Sequence, residues 1–134
     1  MTRTIPLILA CSALVACGGG SSGKERPTQA TFTIEVTEQD PNGGKWDKYD
    51  STGMPDIGMC VVTLTGTICY PDQNLLRSQC PDTTKCVFSN IPIPPEAFTV
   101  HVIDVDAVNN EDIGRGECDW DNSCTLGQAK VSIE

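Results

Sequence analysis

Asp104 and Asp106 stand in Val102-Ile103-Asp104-Val105-Asp106, an apolar–polar alternation with the period of a β-strand. Alternate side chains of a strand project from one face, which puts the two carboxyls about 6.6–6.8 Å apart along the chain. The residues Ala107-Val108-Asn109-Asn110-Glu111 then form a loop that returns Asp112 towards them, just before Ile113-Gly114. Three like charges so close together repel one another unless a divalent ion sits between them. Calcium suits the pattern, because it takes six to eight oxygen ligands from carboxylates, carbonyls and water. An EF-hand is excluded. Counting from Asp104, Val108 and Asn109 fall where an oxygen ligand and the invariant Gly belong, and Arg115 falls where Glu closes the loop. Asp119-Trp120-Asp121-Asn122-Ser123 likewise lacks the Gly and the closing Glu.

Other chemistry finds little support. His101 is the sole His, and strand parity turns it away from Asp104 and Asp106, so a general-base role has no partner. Neither a Gly-x-Ser-x-Gly elbow nor a Cys–His arrangement occurs. A carboxylate pair could hydrolyse glycosides, but aromatic residues for sugar stacking are few. The chain is therefore expected to act by binding and not by catalysis. With 18 acidic against nine basic residues, the net charge of −9 opposes nucleic acid, whose phosphates require a basic face. The basic residues of the domain are scattered and form no polybasic strand.

The elements that must position these residues read as short strands. From Thr31 the period is two, with Phe32, Ile34 and Val36 on one side and Thr33 and Glu35 on the other. Asp40-Pro41-Asn42-Gly43-Gly44 stops that strand, and a polar loop runs to Asp56. Further strands are expected over residues 57–64, 67–70, 75–79, 85–91, 98–106, 113–118 and 128–133. Convincing helical periodicity is absent, and nine Pro with 12 Gly punctuate the chain. Eight short strands with frequent turns imply an all-β, antiparallel β-sandwich. Trp46 and Trp120 are expected to pack within it.

The chain start has its own chemistry. Arg3 precedes an apolar stretch of ~11 residues, too short to span a bilayer, which takes ~20. Leu14-Val15-Ala16-Cys17 then resembles the lipobox of bacterial lipoprotein signal peptides, whose Cys receives diacylglycerol and becomes acylated. That resemblance implies a signal peptide over residues 1–16, a lipidated Cys17 and a Gly- and Ser-rich flexible tether over residues 17–29. The folded domain then occupies residues 30–134. Gly18 after Cys17, by resemblance to the sorting rule of well-studied Gram-negative bacteria, implies anchoring in the outer membrane of the cell envelope. Six Cys remain in the domain: Cys60, Cys69, Cys80, Cys86, Cys118 and Cys124. An even count in an exported domain reads as three disulfides, with 15 possible pairings. The local pairs 60–69, 80–86 and 118–124 each suit a hairpin or short loop. Zinc is opposed by the lack of any Cys-x-x-Cys.

At the acidic loops the chain resembles a C2 domain, the calcium- and phospholipid-binding β-sandwich. The third calcium loop of that family reads Asp-x-Asp, five residues, Asp, an apolar pair and Gly. Asp104, Asp106 and Asp112 match its acidic spacing, and Ile113-Gly114 matches its ending with one apolar residue missing. The first calcium loop carries two Asp about six positions apart. Here Asp56 matches the second and Asp50 stands six positions earlier, while Asp47 is its rival, because Gly44-Lys45-Trp46-Asp47 looks like the loop-one opening of bacterial C2-like lipoproteins. The Pro-Tyr that commonly follows the second Asp is replaced by Ile57-Gly58, and residues 80–86 replace the usual Pro-x-Trp-Asn segment. The resemblance implies a Ca²⁺ site at Asp47 or Asp50 with Asp56, Asp104, Asp106 and Asp112. It also implies partners that are phospholipid headgroups or an envelope protein. The competing expectation is a structural or adhesion module in which calcium only stiffens loops. Replacing Cys17 with Ser should release the chain from the membrane fraction; a variant that still pellets after carbonate washing would remove the anchor assignment.

Overall fold

Between Gln29 and Val36 the apolar positions Ala30, Phe32, Ile34 and Val36 are buried, while Glu35 faces solvent. The same two-residue period repeats along the chain and dictates sheets with one apolar face each. The computed structural model describes residues 25–48 and 51–134; Cys17 with the whole leader, and Asp50, lie outside the described residues. Eight strands follow in order: β1 (Gln29–Val36), β2 (Ile57–Thr63), β3 (Gly66–Tyr70), β4 (Lys85–Pro92), β5 (Phe98–Asp104), β6 (Glu111–Cys118), β7 (Ser123–Leu126) and β8 (Ala129–Ile133). They form two four-stranded antiparallel sheets, ordered β4-β1-β8-β7 and β3-β2-β5-β6, and no helix occurs among the described residues. The all-β sandwich expected from the alternation is the observed architecture.

The sheets meet through Phe32, Ile34, Phe88, Val131 and Ile133 on one side and Ile57, Met59, Phe98, Val100 and Val102 on the other. Phe32 and Phe98 touch across the interface, their ring centroids 6.3 Å apart. All six domain cysteines are oxidised, in the local pairs Cys60–Cys69, Cys80–Cys86 and Cys118–Cys124. The last joins β6 to β7 and so ties one sheet to the other.

Two strand assignments change. Residues 75–79, expected as a strand, belong to a loop, because Asp72 accepts through Oδ1 from the amides of Asn74 and Leu76 and wraps the segment into an Asx turn. Leu75 takes a positive φ there and still buries its side chain. Conversely β7 was not expected. It forms a hairpin with β8 through Gly127-Gln128, with Gly127 at φ +57°, as a two-residue Gly-x turn requires.

A register shift carries the largest consequence. His101 and Val102 pair with Arg115 and Gly114, but Ile103 and Asp104 pair with Asp112 and Glu111. Ile113 is therefore the extra residue of a β-bulge on β6. The β6 side chains before it, Glu111 and Asp112, are turned to the opposite faces from those of an unbroken ladder.

Segments 37–56, 71–84 and 105–110 join at one end of the sandwich, through bonds such as Ile57 N–H to Cys80 C=O and Val105 N–H to Asp56 C=O. Residues 25–28, 93–97 and 119–122 cluster at the other. Gly114 lies against β7, where a Cβ would be driven into the backbone carbonyl of Leu126. Gly114→Ala should therefore cost at least the roughly 1–3 kcal/mol typical of overpacking and lower the melting temperature by ~4 °C or more. Gly66→Ala, whose Cβ meets nothing within 4 Å, should stay within about 0.5 kcal/mol of wild type by thermal denaturation.

Candidate functional site

The loop leaving β1 is shaped first by its own polar residues. Asp40 Oδ1 accepts from the amides of Asn42 and Gly44, closing a turn. The chain then delivers Trp46 into the core, where its indole N–H donates to the Thr37 carbonyl at 2.8 Å. That anchoring leaves the next residue, Asp47, on the rim of an open cleft of about 580 Å³. Asp56, Asp106 and Glu111 also line the cleft, with Val108 at its edge and Lys48 as the cationic lining residue.

Beneath this rim Asp104 is only 1% exposed, the one buried charged residue among the described residues. Its Oδ1 accepts from the Asp56 backbone N–H at 2.6 Å, while its Oδ2 is buried without a hydrogen-bond partner. Burial pushes the Asp104 carboxyl up to about 7; the Asp56 amide opposes this, and the charges of Asp106, Asp56 and Glu111 reinforce it. Asp106 is likewise raised, first by burial and then by Asp47, Glu111 and Asp56. The Asp106 amide donates to Asn110 Oδ1 at 3.1 Å, which folds the short loop between β5 and β6. A third loop contributes from the side: the Asp82 amide donates to Asp56 Oδ1 at 2.8 Å, and Thr52 Oγ1 donates to Asp82 Oδ1 at 2.7 Å.

Of the residues singled out in the sequence, Asp47, Asp56 and Asp106 line the cleft, and Asp104 lies within electrostatic reach of Asp56 and Asp106. Asp112 is not brought to the cleft. The bulge at Ile113 places it on the outer face of the sheet, with Oδ1 2.9 Å from His101 Nε2. Glu111 takes the position opposite Asp104 instead. Sequence reasoning missed Glu111, because the length of the loop after Asp106 and the third-loop spacing of the resemblance both pointed to Asp112. The one available signal was the neighbouring carboxylate itself, one residue out of register. Among the described residues no three His, Cys, Asp or Glu side chains gather closely enough to cage a metal ion as placed. All five acidic groups offer hard oxygen donors, and the buried Asp104 oxygen lacks any donor of its own.

Compared with known proteins, the chain matches no family model, and no curated protein matches it.

The electrostatics of Asp104 give a pH signature in the metal-free protein. Folding favours its protonated form, so the associated stability is fully present below about pH 4 and is lost as pH rises through about 7. In EDTA, Asp104→Asn should melt with wild type near pH 4 and above it at pH 8. A difference in melting temperature that stays constant across this range would contradict the assignment.

Proposed function

We propose that this chain is a lipid-anchored lipoprotein of the cell envelope whose β-sandwich, C2-like in character, binds calcium and works through non-catalytic contact. The lipobox-like Cys17 supports the anchor, with the outer membrane as its site, and the three disulfides agree with an oxidising compartment. The observation that carries the calcium reading is the buried, unpartnered Oδ2 of Asp104 set among Asp56, Asp106 and Glu111. A buried polar atom without a partner is costly, and so is a group of facing carboxylates; one hard cation relieves both. Its oxygen ligands would come from Asp104, Asp106, Asp56, Asp47 and Glu111, with water or the oxygens of a partner completing six to eight. Phospholipid headgroups and an envelope protein both offer such oxygens.

A second reading is a structural envelope module in which the loops are held by a proton on Asp104 or by calcium alone. The raised Asp104 carboxyl favours it, since the neutral acid needs no counter-ion.

Thermal melting separates metal from proton. At exported-module affinities of about 10⁻⁴–10⁻³ M, millimolar calcium should add roughly 1 kcal/mol and raise the melting temperature by ~4–8 °C over EDTA. Magnesium should do much less, because it demands octahedral geometry and sheds water reluctantly. Glu111→Gln should reduce the calcium response and Asp104→Asn should abolish it, while Asp112→Asn should leave it intact. Identical melting of the wild type in calcium and in EDTA would discard the calcium reading and leave the structural one.

A further inference from the structure

Residues 57–71 carry no charged side chain, although the chain as a whole has a net charge of −9. They fold into the hairpin of β2 and β3, and β3 is the last strand of its sheet. A sheet edge presents unpaired amides and carbonyls, which proteins blunt with charge, Pro, bulges or a covering segment. Three of the four edges here are treated in that way. β6 exposes Glu111, Asp112, Arg115 and Glu117 and carries the bulge. β7 lies against β6, tied to it by Cys118–Cys124, with Gly114 packed on the Leu126 backbone. β4 is bracketed by Lys85 and Pro92, takes a positive φ at Asn90, and has its Val87 carbonyl covered by Gln79 Nε2 at 3.0 Å. β3 has none of these devices and pairs with β2 in unbroken register.

The backbone of this edge has a definite pattern. Thr63 and Gly66 flank a two-residue turn, and hydrogen-bonded pairs alternate from there. Gly66, Ile68 and Tyr70 therefore direct their backbone groups to β2, while Thr67 and Cys69 direct theirs to the free side. Side chains follow the other parity. Ile68 pairs with Val61 and Tyr70 with Met59, both core residues, so Ile68 and Tyr70 point towards the facing sheet. Ile68 is still 47% exposed. An open groove of about 370 Å³ separates it and Tyr70 from Pro92, Ile93, Pro94 and Pro95. Glu96 is the one charged residue along that groove. Three of the four residues on its far wall are prolines without an N–H, so a strand can be added at β3 alone.

We propose that this edge is an interface with a second copy of the chain, β3 joined to β3 in antiparallel register about a twofold axis at Ile68. Thr67 of one copy then faces Cys69 of the other, and each such pair exchanges both backbone bonds through groups that already point outward. Between them Ile68 meets Ile68 as a non-hydrogen-bonded pair, with Cα atoms about 4.5 Å apart and side chains at their closest. Gly66 faces the other copy's Tyr70, an aromatic ring over a glycine of the edge. The strand is thus complementary to itself in hydrogen bonding and in shape. Charge selects the same occupant. Two chains of net charge −9 repel, and residues 57–71 are where they meet without opposed carboxylates. The groove leaves room for the apolar face of the joined strands, and the twofold symmetry closes the assembly at two copies.

The test uses the full chain in detergent. Ile68→Cys places two thiols across the twofold axis, within the Cα spacing that a disulfide spans. Mild oxidation should give a reductant-sensitive covalent dimer in a yield at least severalfold above that of Val87→Cys, a comparably exposed position on β4. Thr67→Pro removes an amide that the β2–β3 ladder does not use. Added to Ile68→Cys, it should bring the yield down to the Val87→Cys level with the melting temperature held. Wild type should sediment as a dimer at about 100 μM, a concentration that populates even weak contacts, and Thr67→Pro as a monomer. Should Thr67→Pro fail to fold, Ile68→Lys, which sets like charges directly opposite each other, should sediment as a monomer in its place. Equal yields from Ile68→Cys and Val87→Cys, or a wild type that sediments as a monomer, would overturn the proposal. An Ile68→Cys thiol that cross-links only to a different protein would overturn it too, and would give the edge to an extended segment of that protein.

Discussion

A single carboxyl group, buried where β5 leaves the hydrophobic core, constrains the whole acidic end of the molecule. Asp104 accepts the amide of Asp56, and the Asp56 carbonyl in turn accepts the amide of Val105, so the loops after β1 and β5 are stitched together around it. Asp56 also holds the amide of Asp82 and brings in the loop before β4. A carboxylate in this position is poorly solvated and faces other carboxylates, which leaves it two stable conditions. It can take a proton, or share a cation with its neighbours. The proposed function and the pH behaviour of the metal-free protein are two consequences of this one placement.

Such a site demands a frame that does not yield to repulsion between the loops. The core of two small sheets is modest for a chain of this size, and the disulfides supplement it where the sheets could part. Cys118–Cys124 links the sheets near the pole where the chain enters. Cys80–Cys86 holds the segment before β4 near the cleft end, and Cys60–Cys69 joins neighbouring strands beneath Leu75. With the frame held covalently, the loops can carry charge that folding alone would disfavour. The poles also differ in chemistry: hydrogen bonds and an Arg26 clasp secure the entry, and carboxylates occupy the opposite end.

Much of the fold was legible in the residues because burial on one face of a strand imposes a period of two. The alternation around Phe32, Ile34 and Val36 and around Val100, Val102 and Asp104 located strands and core faces together. Short spacing between cysteines favoured the three local pairs, because each closes a loop that a hairpin or turn already brings near. Less legible were segments governed by a polar side chain or a glycine in place of periodicity. Asp72 turned an apparent strand at residues 75–79 into a loop, and Gly127 allowed a four-residue β7 too short to show a pattern.

The sequence by itself determined which residues could bind a cation, since carboxylates at Asp47, Asp56, Asp104 and Asp106 are a matter of composition and spacing. Which of them converge was decided by the tertiary structure. The bulge at Ile113 arises where β6 must pair with β5 while keeping both Ile113 and Gly114 buried, Gly114 hard against Leu126. That packing requirement comes from another sheet and leaves no mark on local alternation. The one extra residue shifts the side chains before it in β6 to the opposite faces, so Asp112 goes to His101 and Glu111 goes to the cleft. The burial of Asp104 has the same origin: its residue type is local, but the loops that seal it from water come from distant parts of the chain.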